Sequence, residues 1–172
     1  MRLQLKLHSD CISDAAHDIE VAVGRPAEGA LSLDYYVSGR PADLRLPDLA
    51  APARADGLWQ HTCFEAFVRP RGSEAYFEFN FAPSRRWAAY AFDRYRSGMA
   101  ELEIEPSYIG RLDLADRHLL SVILPLPAAP PLDLALSAVI EERSGRKSYW
   151  ALAHPPGKAD FHHPDSFVHE IS

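Results

Sequence analysis

The sequence predicts an all-β fold, built as an antiparallel two-sheet β-sandwich. Three observations support this fold class. Apolar residues recur at every second position in many segments, helical periodicity is scarce, and 14 prolines and 9 glycines divide the chain. Period-two alternation places apolar side chains on one face of a strand. Many short strands separated by turn residues are typical of sandwiches and barrels.

The strands are predicted from this alternation, one after another along the chain. It begins at Leu3, Leu5 and Leu7 and is clearest over 132–140. Two Pro-rich segments, 40–58 and 125–131, are predicted to be loops, because proline removes a backbone donor and fixes φ. The predicted strands cover 3–7, 19–23, 31–37, 63–69, 75–81, 87–93, 119–124, 132–140 and 148–151.

Length and composition limit the classes of function. The chain has 172 residues, which fits one domain over 1–172, and a net charge of −6. Because no basic run stands out, we expect no nucleic-acid partner. No segment approaches the ~18 apolar residues of a membrane helix, so no membrane partner is expected. The alternating N-terminus does not resemble a secretory signal, which predicts a cytoplasmic protein with Cys11 and Cys63 reduced. The oligomeric state stays open.

The most informative segment is a predicted hairpin over 63–81. The turn signal Pro70-Arg71-Gly72-Ser73 lies between two apolar-rich strands. A symmetric loop centred between Arg71 and Gly72 would place Glu65 opposite Glu78. In that register one face is wholly apolar, and the other mixes carboxylates, an amide and aromatic rings. The apolar set is Phe64, Ala66, Val68, Ala75, Phe77, Phe79 and Phe81; the mixed set is Cys63, Glu65, Phe67, Tyr76, Glu78 and Asn80.

Two carboxylates directly opposite each other destabilise a sheet. The hairpin therefore predicts an arginine within salt-bridge distance of Glu65 and Glu78, or else a raised pKa for one of them. Arg86 and Arg94 are the preferred arginines, because the next strand begins near Trp87; Arg85 and Arg96 are the other candidates.

Three segments carry a resemblance to a known family. They are Leu58–Val68 (LWQHTCFEAFV), Tyr76–Ser84 (YFEFNFAPS) with the following Trp87 and Phe92–Met99, and Asp160–Phe167 (DFHHPDSF). In this order they resemble a DOMON-like domain, a type related to the family-nine carbohydrate-binding modules of xylanases. The resemblance implies an antiparallel sandwich with jelly-roll-like topology and a sugar-binding face.

The resemblance also implies a set of site residues. The family pattern of a Trp followed six residues later by a Glu matches Trp59 and Glu65, and its later basic pair matches Arg85 and Arg86. Phe161 and Trp150 are candidates for a second aromatic. We expect a non-catalytic module that binds a carbohydrate or carbohydrate-like small molecule and needs no cofactor. The expected ligand-binding residues are Trp59, Glu65, Glu78, Asn80, Arg85, Arg86, Tyr90 and His162.

Other functions stay open at this point. Glu65 and Glu78 could serve a sugar-active enzyme, since glycosidases use two carboxyl groups across a cleft. An exposed patch of Trp87, Tyr90 and Tyr95 would suit a protein-interaction module instead. Metal or haem ligation and a nucleophilic Cys63 are disfavoured, because no ligand or base pattern accompanies them. The residues weighed for metal or haem are His154, His162, His163, Asp165 and Met99.

Overall fold

The computed structural model describes all residues from Met1 to Ser172 and contains thirteen strands with three short 3-10 helices. The helices are Pro41–Asp43, Leu58–Gln60 and Pro164–Ser166. No helix has the length and apolar character needed to cross a membrane. The strands are β1 (Arg2–Leu7), β2 (Ala16–Gly24), β3 (Ala30–Gly39), β4 (Ala53–Arg54), β5 (Cys63–Pro70), β6 (Tyr76–Phe81), β7 (Arg86–Phe92), β8 (Ala100–Glu101), β9 (Tyr108–Asp113), β10 (Arg117–Pro125), β11 (Leu132–Glu141), β12 (Lys147–Ala151) and β13 (His169–Ile171).

The all-β prediction is confirmed, but the strands form one curled, mixed sheet. Its order is β4-β7-β6-β5-β11-β12-β1-β2-β3-β10-β9, with β13 added to β11 and β8 to β7. Strand β1 joins the two halves, because its first residues pair with β2 while Lys6 and Leu7 pair with β12. The expectation of a purely antiparallel arrangement is wrong at one pair, since β4 runs parallel to β7.

The main hydrophobic core lies between the two halves of the curled sheet. Leu33 and Tyr35 of β3 are fully buried in the same cluster as Phe64 of β5 and Phe79 of β6. The Tyr35 ring lies 5.0 Å from the Phe64 ring, centroid to centroid, and its hydroxyl donates to the backbone oxygen of Glu65 at 2.9 Å. The one polar atom that Tyr35 brings into the core is therefore paired.

The β5–β6 hairpin is present, but its register differs from the predicted one by two residues. Glu65 pairs with Asn80, and Phe67 pairs with Glu78. The loop spans 71–75 and turns at Ser73, whose amide donates to Pro70 O and whose hydroxyl accepts from the Ala75 amide, each at 3.0 Å. A shift of two residues keeps every side chain on its face. The predicted division into an apolar face and a mixed face is therefore confirmed.

We call these two faces the core face and the cavity face. The core face of the hairpin carries Phe64, Ala66, Val68, Phe79 and Phe81. On the cavity face, Phe67 and Tyr76 belong to a second apolar cluster, against which Phe161 and Phe167 pack. The C-terminal segment thus covers part of a sheet face that would otherwise be open to solvent.

Candidate functional site

A cavity of about 980 Å³ opens on the cavity face. Its floor is formed by side chains of five neighbouring strands: Glu65 (β5), Glu78 (β6), Tyr90 and Phe92 (β7), Val139 (β11), and Lys147 and Tyr149 (β12). Its walls come from five connecting segments: His8, Asp10, Cys11 and Ile12; Trp59; Arg96 and Met99; Arg146; and Lys158, Ala159, Phe161 and His162. A smaller cavity of about 540 Å³ lies beside β9. Its carboxylates, Asp48 and Asp113, are both exposed.

Two buried carboxyl groups form the polar part of the floor. Glu65 is 3% exposed and Glu78 is 6% exposed. Glu65 accepts a hydrogen bond from the Ser137 hydroxyl at 3.2 Å, because β11 places Ser137 directly beside it. Glu78 accepts from the Asn80 amide nitrogen at 2.9 Å. Each carboxyl group therefore has a neutral partner on the sheet.

The two carboxyl groups differ in protonation from ordinary glutamates. Burial and, to a smaller extent, the nearby charge of Glu78 raise the pKa of Glu65 to about 8, against the opposing effects of Ser137 and Arg96. Burial also raises the pKa of Glu78, while Asn80 and Arg96 lower it. Glu65 is accordingly protonated at neutral pH and offers a hydroxyl donor at the cavity floor.

No arginine lies within salt-bridge distance of either carboxyl group, and the predicted alternative, a raised pKa, is confirmed. The preference for Arg86 and Arg94 was wrong. Arg96 lines the cavity, and its charge lowers the pKa of both carboxyl groups. The reason is the tight loop after β7, in which Arg96 adopts a left-handed backbone with φ 51°. Arg94 instead forms a backbone bridge with Ser97.

His162 is held over the floor by a chain of hydrogen bonds. The Arg96 amide donates to the Tyr76 hydroxyl at 3.2 Å, and that hydroxyl lies 2.8 Å from His162 Nδ1. Tyr76 therefore donates its proton to Nδ1, which leaves the ring proton on Nε2, 3.7 Å from Glu78 Oε2. Burial and, to a smaller extent, the charge of Arg96 lower the pKa of His162 to about 4, against the opposing effect of Asp160, so the ring is neutral at pH 7.

Aromatic side chains form the upper walls. Trp59 is 56% exposed on the short helix Leu58–Gln60, which begins after Gly57 in the left-handed region at φ 69°. Phe161, in the loop after β12, is the second aromatic of the walls, and its ring lies 6.2 Å, centroid to centroid, from the ring of Tyr149 on the floor. Of the two candidates for a second aromatic, Phe161 lines the cavity, whereas Trp150 is buried in the main core.

The structure brings together five of the eight predicted site residues. Trp59, Glu65, Glu78, Tyr90 and His162 all line the cavity. Asn80 is buried at the floor, where it binds Glu78 and its own Oδ1 has no protein partner. Arg85 and Arg86 lie at the β6–β7 turn, outside the residues that line the cavity.

Several cavity residues were missed by the sequence reasoning. The principal ones are Arg96, Lys147, Tyr149 and Lys158. Lys147 and Tyr149 alternate with the core residues Ser148 and Trp150 on β12. This period-two alternation could have shown that Lys147 and Tyr149 lie on the same face of the strand. Arg96 and Lys158 lie in loops, where no periodicity marks them.

The aromatic patch predicted for a protein-interaction module is not present on the surface. Trp87 and Tyr90 are 7% and 6% exposed, so the expected patch with Tyr95 is wrong: two of its three aromatics are buried. Tyr90 is held inward by a hydrogen bond from its hydroxyl to Asp56. No group of three or more His, Cys, Asp or Glu side chains is arranged to hold a metal ion.

Comparison with known proteins finds similarity at the level of structure. No family model matches the sequence, and no curated protein sequence matches it. A proposed carbohydrate-binding protein from Bacteroides uniformis superposes with a TM-score of 0.63 at 14% identity, covering 97% of this chain and 84% of that one.

A family 9 carbohydrate-binding module from Caldicellulosiruptor kristjanssonii, in complex with cellotriose, gives a TM-score of 0.56 at 12% identity, covering 91% of this chain and 74% of that one. The glucose complex of a family 9 module from the same organism gives 0.51 at 12% identity, with 89% and 76% covered. At these identities the similarity establishes a shared fold, and the chain has the fold of these carbohydrate-binding proteins.

Proposed function

We propose that this chain is a non-catalytic carbohydrate-binding module whose ligand occupies the cavity on the cavity face. The observation that carries the proposal is the combination, in one cavity, of aromatic walls and a buried polar floor. Proteins of the same fold include modules solved with cellotriose and with glucose. We also propose that the two halves of the curled sheet act as the two layers of a DOMON-like sandwich, since one core lies between them.

The walls suit the apolar part of a sugar. A pyranose ring presents C–H groups on its faces, which pack against aromatic rings. Trp59, Phe161 and Tyr149 supply such surfaces, since all three line the same cavity. Because Trp59 is already exposed without a ligand, stacking a sugar on it removes apolar surface from water.

The floor suits sugar hydroxyls, each of which both donates and accepts hydrogen bonds. Glu65 supplies a hydroxyl donor, Glu78 supplies acceptor oxygens, and His162 directs an N–H toward the same region. Asn80 and Tyr76 hold Glu78 and His162 in place. A site whose polar groups are fixed before binding loses less conformational entropy when the ligand enters.

Calorimetric titration with glucose, xylose and cellotriose tests the proposal. We expect binding in the micromolar to millimolar range, weakened about tenfold by Trp59→Ala, which corresponds to ~1.4 kcal/mol. Tyr108→Ala is the matched control, because Tyr108 is 53% exposed but lies outside the cavity. Absence of binding to folded protein at about 10 mM sugar, or equal weakening by both variants, would overturn the proposal.

A second candidate function is a sugar-active enzyme using Glu65 and Glu78. The observation in its favour is that the pair lines a cavity rather than a flat sheet face, with Glu65 protonated and therefore able to donate a proton. It predicts that Glu78→Gln abolishes hydrolysis of an aryl glycoside while the variant remains folded. Wild-type protein that binds sugars and releases no product rules this candidate out.

A further inference from the structure

The charge of the cavity differs in sign from that of the whole chain. Four basic side chains line it, namely Arg96, Arg146, Lys147 and Lys158, against three carboxyl groups, Asp10, Glu65 and Glu78. The chain as a whole carries a net charge of −6. A basic lining inside an acidic protein concentrates positive potential at the site, which attracts anions.

The two arginines are already neutralised by carboxylates outside the cavity lining. Arg96 binds Asp160 at 2.7 Å, and Arg146 binds Asp14. The lysines differ in this respect, because neither Lys147 nor Lys158 has a carboxylate within salt-bridge distance. Two of the three lysines in the chain therefore lie at one cavity without a partner of opposite charge.

The geometry of β11 and β12 explains why Lys147 is free. Its cross-strand neighbour is Glu141, which would ordinarily pair with it. Both carboxylate oxygens of Glu141 are taken from the other side, by Arg45 at 3.0 Å and by His61 Nδ1 at 2.6 Å. The Lys147 ammonium group is thus left to face the cavity without its strand partner.

Lys147 also lies beside the aromatic wall. It is two residues from Tyr149 on the same face of β12, and neighbours at this spacing are roughly 7 Å apart along a strand. Tyr149 packs against Phe161, three residues after Lys158. A sugar lying against these rings would place a ring substituent within reach of one or both ammonium groups.

We propose that the preferred ligand of this cavity is a sugar bearing an anionic substituent, such as the carboxylate of a uronic acid, bound by Lys147 and Lys158. This inference rests on the proposed function, which supplies the sugar; the lysines add the charge that distinguishes one class of sugar from another. Sulfate and phosphate esters share this chemistry, because an ammonium group binds them as a point charge.

Glucose and glucuronic acid provide a matched pair of probes, because they differ at a single carbon; glucose 6-phosphate tests the ester at the same position. We expect glucuronic acid to bind about tenfold more tightly than glucose at low salt, with the advantage lost at about 0.5 M NaCl through screening. A preference for glucose 6-phosphate over both would assign the site to phosphate esters, within the same proposal.

Substitution separates the lysines from the rest of the site. Lys147→Gln and Lys158→Gln are expected to lower glucuronic acid affinity about three- to tenfold each and to change glucose affinity less than about twofold. Lys6→Gln is the control, since Lys6 is the remaining lysine and does not line the cavity. It should change neither affinity.

The outcomes distinguish this inference from the proposed function. Binding of glucose as tightly as the anionic sugars overturns the inference and leaves the proposed function standing. Lysine variants that weaken glucose and glucuronic acid equally also overturn the inference. Failure of every sugar to bind overturns both.

Discussion

The core face and the cavity face of the β5–β6 hairpin belong to the same strands but differ in the polarity of their side chains and in the pairing of their polar atoms. Phe64, Phe79 and Phe81 are fully buried among apolar neighbours from both halves of the sheet. On the other face, Glu65 and Glu78 are also buried, but they carry raised pKa values, and Asn80 Oδ1 has no protein partner.

The contrast shows how one alternating pattern gives stability and a binding site together. Apolar packing on the core face lowers the free energy of the folded state. Burying incompletely paired polar groups on the cavity face raises it. The hairpin can hold incompletely paired polar groups on its cavity face because apolar packing on its core face fixes the two strands in place.

The largest expected effect tests the stability of the core face. Phe79→Ala should lower the free energy of unfolding by about 3–5 kcal/mol, because it removes a fully buried ring from the main core. Trp59→Ala, on the exposed cavity wall, should change it by less than about 0.5 kcal/mol. Urea denaturation measures both. Similar losses for the two variants would contradict the division of roles between the faces.

The next effect concerns the buried carboxyl group of Glu65. Its folded-state pKa of about 8 exceeds the ordinary 4.5, so its stabilising contribution is fully present below pH 4.5 and is lost as the pH rises through 8. His162 acts in the opposite direction, because its lowered pKa of about 4 makes stability rise toward pH 6.5. The effect of Glu65 is therefore separable from that of His162 above pH 6.5.

Glu65→Gln removes this titration and keeps the shape of the protonated carboxyl group. The variant should match the wild type only below about pH 4.5, and its advantage in free energy of unfolding should grow by about 2 kcal/mol between pH 6.5 and pH 8.5. Urea denaturation at several pH values measures the difference. A difference that does not change with pH would show that Glu65 titrates normally and that the cavity floor is well solvated.

The smallest effect concerns the hydrogen bonds that hold His162. Tyr76→Phe leaves His162 Nδ1 and the Arg96 amide without their shared partner, at a cost of about 1 kcal/mol. The tautomer of His162 should also become mixed, which ring-nitrogen NMR shifts report. Tyr36→Phe, on β3 away from the cavity, is the control for loss of a tyrosine hydroxyl. An unchanged tautomer in Tyr76→Phe would contradict the proposed orientation of the ring.

Much of the fold could be predicted from the sequence because alternation is a local property. All nine predicted strands are present, and the two faces of the hairpin were separated correctly. The short strands β4, β8 and β13 were not predicted, because two or three residues are too few to show an alternation. Strand β9 was not predicted because its exposed residues include both apolar and polar side chains. The hairpin register was missed by two residues because the turn at Ser73 depends on local hydrogen bonds.

The site was less predictable than the fold, since it is assembled from distant segments. Glu65 and Glu78 followed from strand alternation, and Trp59 and Glu65 from resemblance. Lys147 and Tyr149 could be placed at the cavity only once the pairing of β12 with β11 was known. Arg96 could be placed there only once the conformation of its loop was known. Arg85 and Arg86 matched a sequence pattern, but the β6–β7 turn directs that part of the chain elsewhere.

The pairing of β1 with β12 has a consequence for the order in which the molecule is completed. Lys6 and Leu7 make this junction, and the His8 amide extends it by donating to Tyr149 O; all three partners lie some 140 residues later in the chain. The cavity walls repeat the pattern, because residues 8–12 and residues 158–162 both contribute to them, and His8 Nε2 lies 3.0 Å from Gly157 O. During synthesis on the ribosome, residues 8–12 are made early, whereas residues 158–162, which complete the cavity walls, are made near the end. Such distant pairings form slowly. We expect the main core of the nascent chain to form before the ligand-binding cavity is complete.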